Sequence, residues 1–135
     1  MTDKELVEFI YDKLMIQGRQ SVNKFTRTCM YRGPEGTKCA VGWIIPDDRY
    51  NTLFEGKTLF KGAAGMSSIT VVGEFLLTLG YTEKQLILLE RIQRKHDTAS
   101  GLPFRKHIHE QFTRICREFK IDAKLKGVEH YEMVQ

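Results

Sequence analysis

The sequence predicts an α+β fold that is mostly helical, with about four helices and a small β-hairpin docked on them. Three observations carry this expectation. Thr2 with Glu5, and Thr82 with Gln85, each have capping-box spacing and precede apolar residues recurring at helical intervals. A long amphipathic series follows Pro103. Residues 28–45 place two short apolar segments, each opened by a cysteine, around a turn built from Gly33, Pro34 and Gly36, which reads as the hairpin.

The first helix starts at Thr2, buries Leu6, Phe9, Ile10 and Leu14 on one face, and stops at Gly18. Residues 19–27 are polar and read as an extended connector into the hairpin. Pro46 and Asp47 then mark a turn that opens a short helix through Tyr50 and Leu53. A second helix begins after Ser67 or Ser68 and runs to Leu79, with Gly80 as its stop, although the β-branched run Ile69 to Val72 admits a strand instead. The third helix runs from Thr82 to about His96, and a break follows at residues 98–101. Pro103 suits the first turn of the last helix. There Phe104, Ile108, Phe112, Ile115 and Phe119 fall in a sector roughly 80° wide at about 100° per residue.

A chain of 135 residues, 41% apolar and 28% charged, suits one domain spanning residues 1–135, with 121–135 as a short added element or a loose tail. Three cysteines without paired spacing argue against a disulfide framework and for a reducing cytoplasm. The acidic, amphipathic start is unlike a signal peptide, and no apolar run is long enough to span a bilayer, so no membrane partner is expected. A net charge of +4 favours anionic partners mildly. Between Lys84 and Lys126, eleven lysines and arginines face five acidic residues, and Lys106, Arg114, Arg117 and Lys120 share one side of the last helix. Without aromatic interleaving or a nucleic-acid-binding module, nucleic acid is disfavoured as a partner.

Five groups of residues could carry chemistry. His96 projects between Leu89 and Ile92 on the core side of its helix, with Gln93 near the same face and Asp97 at its edge. These three either satisfy one another internally or line a polar pocket at the helix end. Cys29, Cys39 and His96 could supply zinc ligands, but no Cys-x-x-Cys knuckle is present, and no metal or other cofactor is expected. Lys38 and Arg32 lie near the cysteines, yet no cysteine-enzyme signature surrounds them, and no catalytic residue is assigned. Gly56, Lys57 and Thr58 mimic the end of a phosphate-binding loop, but Asn51 holds the position of its first glycine and Gly62 interrupts the helix that should follow. The small-residue run 61–68, ending in Ser67 and Ser68 before a helix, is the better anion cradle.

Cys29-Met30-Tyr31-Arg32, then Gly36-Thr37-Lys38-Cys39-Ala40-Val41-Gly42, Pro46-Asp47, Tyr50, Glu55-Gly56 and Gln93-x-x-His96-Asp97 together resemble a group of small proteins encoded by tailed bacteriophages and prophages. The resemblance covers residues 1–100 and fades from Pro103 onward. Trp43 stands where that pattern has a smaller residue or cysteine. It implies a phage accessory protein without supplying a reaction, one that acts by binding in the cytoplasm of the infected bacterium. The expected function is non-enzymatic: countering a host defence by sequestering an anionic, nucleotide-type signal. Arg32 and Lys38 would pair with phosphate, Tyr31 or Trp43 would stack on a base, and His96 would donate a hydrogen bond. Ser67, Ser68, Gln93 and Asp97 would complete the pocket, which a homo-oligomer could enclose. Two alternatives stand beside it. One is a protein inhibitor of a host factor that uses the basic last helix; the other is a small hydrolase or nuclease that uses His96 with a carboxylate.

Overall fold

The computed structural model describes residues 1–61, 68–99 and 103–132. Among these, helix α1 (Asp3–Gln17), the antiparallel pair β1 (Phe60–Lys61) and β2 (Ser68–Ile69), and helices α2 (Val71–Thr78), α3 (Glu83–Asp97), α4 (Phe104–Phe119) and α5 (Val128–Glu132) follow in chain order. The fold is mostly helical with a two-stranded sheet. No helix among the described residues is long and apolar enough to cross a membrane.

α1 begins where its capping box predicts. The Thr2 hydroxyl accepts the Glu5 N–H at 3.1 Å, and the Glu5 carboxylate accepts the Thr2 N–H at 2.9 Å. It ends at Gly18, in the left-handed region at φ 72°, where the Arg105 guanidinium covers the turn and donates to the Met15 carbonyl at 2.7 Å. A side chain at Gly18 would put its Cβ 2.6 Å from that guanidinium. Leu6, Ile10 and Leu14 on α1 pack with Ile108, Phe112 and Ile115 on α4, all 0% exposed. Burial of each such side chain stabilises the fold by about 2 kcal/mol. α3 packs on the same helix, with Leu86, Leu89, Ile92 and His96 also at 0% exposure. α5 returns to α1 and α4, where the Tyr131 hydroxyl donates to Asp12 at 2.8 Å.

Residues 28–45 do not form the expected hairpin. Cys29 makes one isolated antiparallel bridge to Val22, and the rest of the segment is irregular, with short 3-10 turns at Pro34–Gly36 and Val41–Ile44. The paired strands lie instead at Phe60↔Ile69 and Lys61↔Ser68. The run 39–45 carries no period-two alternation: all but Trp43 are buried, so no second face is left for solvent. Local turn bonds and side chains, instead of a strand ladder, satisfy the backbone polar groups of the segment. Glu55 accepts the N–H groups of Tyr31 and Arg32 at 2.9 and 3.0 Å, and Arg32 donates to the carbonyls of Gly42 and Ile45 at 2.7 Å each. Gln17 accepts from the Lys38 N–H and donates to its carbonyl, and Gln93 accepts the Val41 N–H. Gly42 packs so tightly on the Tyr31 carbonyl that a Cβ would sit 2.4 Å from its oxygen. Downstream, the β-branched run splits: Ile69 ends the sheet, and Thr70 caps α2 by accepting the Gly73 N–H while donating to the Thr58 carbonyl at 2.6 Å.

Removing Glu55 strands three donors at once, since the Tyr50 hydroxyl also donates to it, at 2.5 Å. Glu55→Ala should therefore lower unfolding free energy by about 3 kcal/mol in urea denaturation, as hydrogen bonds to a charged acceptor do. Glu35→Ala, which removes only exposed ion pairs with Arg19 and Lys24, should cost less than about 1 kcal/mol.

Candidate functional site

Where residues 28–31 pass the C-terminal end of α3, they wall a cleft of about 350 Å³ with Gly56, Lys57 and Thr58 opposite. Of the residues expected to form a ligand pocket, Tyr31, Gln93 and Asp97 line it, joined by Cys29 and Cys39. Tyr31 is 4% exposed; its hydroxyl donates to the Lys57 carbonyl at 2.5 Å, and burial pushes its phenol far above the ordinary range. Gln93 ties the wall together, because its Oε1 accepts the Val41 N–H and its Nε2 donates to the Asp97 carboxylate, each at 2.9 Å. The Asp97 side chain is 41% exposed.

His96 sits beneath this surface, 0% exposed, and is not part of the lining. The Ser21 N–H donates to Nε2 at 3.4 Å, which leaves the ring proton on Nδ1, 3.1 Å from the Asp97 carboxylate. The imidazole thus orients Asp97 and offers no ring nitrogen to the cleft. Gln20 closes the arrangement by donating to the Cys29 sulfur at 3.6 Å and to the carbonyls of His96 and Asp97 at 3.0 and 3.1 Å. Burial, with the Asp97 carboxylate alongside, pushes the Cys29 thiol up to about 12, and burial likewise raises Cys39. Both are therefore neutral thiols at physiological pH.

The remaining expected residues lie elsewhere. Arg32 spends its guanidinium on two backbone carbonyls and on Asp47 at 3.0 Å, over the Tyr50 ring. Lys38 also reaches Asp47, at 3.2 Å, and packs over Trp43. The Lys38 ammonium, with Arg32 behind it, holds the Asp47 carboxyl below its usual range. Trp43 instead lines a separate cleft of about 300 Å³ with Lys13, Gln17 and Arg19. Ser68 is in β2, paired with Lys61, and Ser67 lies outside the described residues. A single pocket combining all nine residues is thus not what the fold builds: the cations of the 28–45 segment are drawn to its own carbonyls and to Asp47.

Sequence reasoning missed Lys57 and Thr58. With Gly56 they also line a second cleft of about 330 Å³, together with Lys61, Thr70 and Val71 at the start of α2. The two clefts share three residues and so flank the 56–58 segment as a two-part groove, one part at the C-terminal end of α3 and the other at the N-terminal end of α2. The Gly56-Lys57-Thr58 string was the signal for this groove, set aside because it fails the phosphate-loop pattern. Comparison with family models, with curated proteins and with solved structures gives no match for this chain.

Tyr50 reports on the wiring behind the cleft. Burial, followed by its hydrogen bond to Glu55, raises its phenol from 10.0 to about 12. A raised folded-state value means the contribution is complete below pH 10.0 and is lost as pH climbs through about 12. The ring-carbon resonance of Tyr50 should titrate near that upper value, and Glu55→Gln should bring it down toward 10.0.

Proposed function

We propose that this is a phage-encoded, non-enzymatic binding protein that counters a bacterial host defence by sequestering an anionic, nucleotide-type signal in the Gly56–Thr58 groove. One observation carries the reading: Lys57 lines both parts of the groove, between Asp97 at one end and Lys61 with the start of α2 at the other. At one end Lys57 and Lys61 stand beside the N-terminus of α2, where helix partial charge favours a phosphate. At the other end the part-exposed Asp97 carboxylate, held by Gln93 beside the half-buried sulfur of Cys29, suits the hydroxyl and amine hydrogens of a nucleoside. Lys57 donates one proton to the Leu53 carbonyl at 2.6 Å and has two more for a ligand. The burial of His96, with both ring nitrogens hydrogen-bonded within the protein, supports binding over acid–base chemistry. The resemblance of residues 1–100 to small phage proteins supplies the biological setting.

Thermal-shift titration with a mononucleotide, a linear dinucleotide and a cyclic dinucleotide checks this. At least one should raise Tm, with about 2.7 kcal/mol of stabilisation at a hundredfold excess over Kd. Lys57→Glu should weaken that binding at least tenfold, while replacing Arg114, Arg117 and Lys120 together should leave it unchanged. Heating the loaded protein should release the nucleotide chemically intact. Altered product would indicate an enzyme. No shift with any probe, combined with loss of host-protein binding in the triple variant, would favour the basic-helix inhibitor.

A further inference from the structure

Cys29, His96 and Asp97 come together although 67 positions separate the cysteine from the histidine. One ligand atom from each, the Cys29 sulfur, a His96 ring nitrogen and an Asp97 carboxylate oxygen, lies within 4.8 Å of both others. We infer that this cluster is a binding site for a borderline-soft divalent cation, zinc being the fitting ion, with its fourth coordination position facing the cleft.

The donor set argues for zinc over magnesium or calcium, which take oxygen ligands alone. A thiolate and a carboxylate neutralise a divalent charge, and imidazole adds a third donor without adding charge. Ligand atoms around tetrahedral zinc stand roughly 3–4 Å apart, so the cluster closes with a movement of about an ångström. Supporting contacts of the kind that orient metal ligands already exist: Gln20 holds the Cys29 sulfur and both α3 carbonyls, and Gln93 holds Asp97. Half-buried Cys29 and part-exposed Asp97 both line the cleft, which supplies the entry path. His96 and Asp97 also close α3, whose C-terminal partial charge favours a cation.

Loading balances as follows. The Cys29 thiol releases its proton to solvent and the thiolate binds the ion. The His96 ring proton moves from Nδ1 to Nε2, freeing Nδ1 as a ligand. The cost is the long 3.4 Å hydrogen bond from the Ser21 N–H. Asp97 exchanges its contact with the His96 ring for one with the ion.

Cobalt serves as the probe, added to the chelator-stripped, nucleotide-free full chain, so the outcome does not depend on the sequestration reading. One equivalent should bind with a thiolate-to-cobalt charge-transfer band in the near ultraviolet. Cys29→Ser should abolish the band and Cys116→Ser should keep it. Asp97→Asn, at the least buried position of the cluster, should weaken binding at least tenfold with the metal-free fold intact by circular dichroism. With zinc, the ¹⁵N resonances of His96 should report the proton on Nε2 in place of Nδ1. The inference is overturned if the wild-type chain shows no charge-transfer band, if Cys29→Ser retains it, or if the His96 tautomer is unchanged at saturating zinc.

Discussion

An irregular segment that crosses the core must satisfy its backbone without a ladder, and this fold depends on how residues 28–45 meet that demand. Local backbone turns meet part of it, and four side chains meet much of the rest: Gln17 from α1, Arg32 from within the segment, Glu55 from the following turn, and Gln93 from α3. Each unsatisfied buried amide would cost about 1–3 kcal/mol, so these side chains act as structural members comparable to the apolar core. Their geometry holds Cys29 and Tyr31 against the end of α3. The cleft is a consequence of that wiring, and its shape is as rigid as the network behind it.

The helices were legible because their signals are local. Capping boxes at Thr2 and Thr82, the glycine stop at Gly18 and the apolar stripe of α4 all reappear as geometry. The burial of His96 was readable from the same periodicity, and so was the position of Asp97 at the edge of that face. The hairpin was not, because glycine, proline and flanking apolar runs describe a 3-10 turn in a buried coil as well as they describe a ribbon. The true strand pair is two residues long on each side and borders a stretch of small residues, so it has no period to detect.

The expected phosphate ligands are engaged within the protein for a related reason. An arginine five donors wide serves a backbone carbonyl as readily as a phosphate oxygen, and nothing in the sequence separates the two. Arg32 lies within reach of Gly42 and Ile45 only because Glu55 turns the chain there, a contact across 23 positions. Lys38 was drawn to Asp47 by a turn whose direction the sequence does not encode. Lys57 was overlooked on the opposite logic: its neighbours fail a known loop pattern, but a groove needs only that its cation stand near a helix start, which tertiary packing supplies.

The orientation of two helices gives the groove its sense. α3 ends at Asp97 and α2 begins beyond Thr70, so the groove lies between a helix terminus of negative partial charge and one of positive. The side chains follow this order in part, with a carboxylate and a soft sulfur at the first end, Lys61 at the second, and Lys57 lining both. Each end is therefore suited to a group of the opposite sign, a cation at the Cys29–His96–Asp97 cluster and an anion beside Lys57 and Lys61. Lys57 lines both parts, so the two helix termini, more than the side chains, set the direction of the groove.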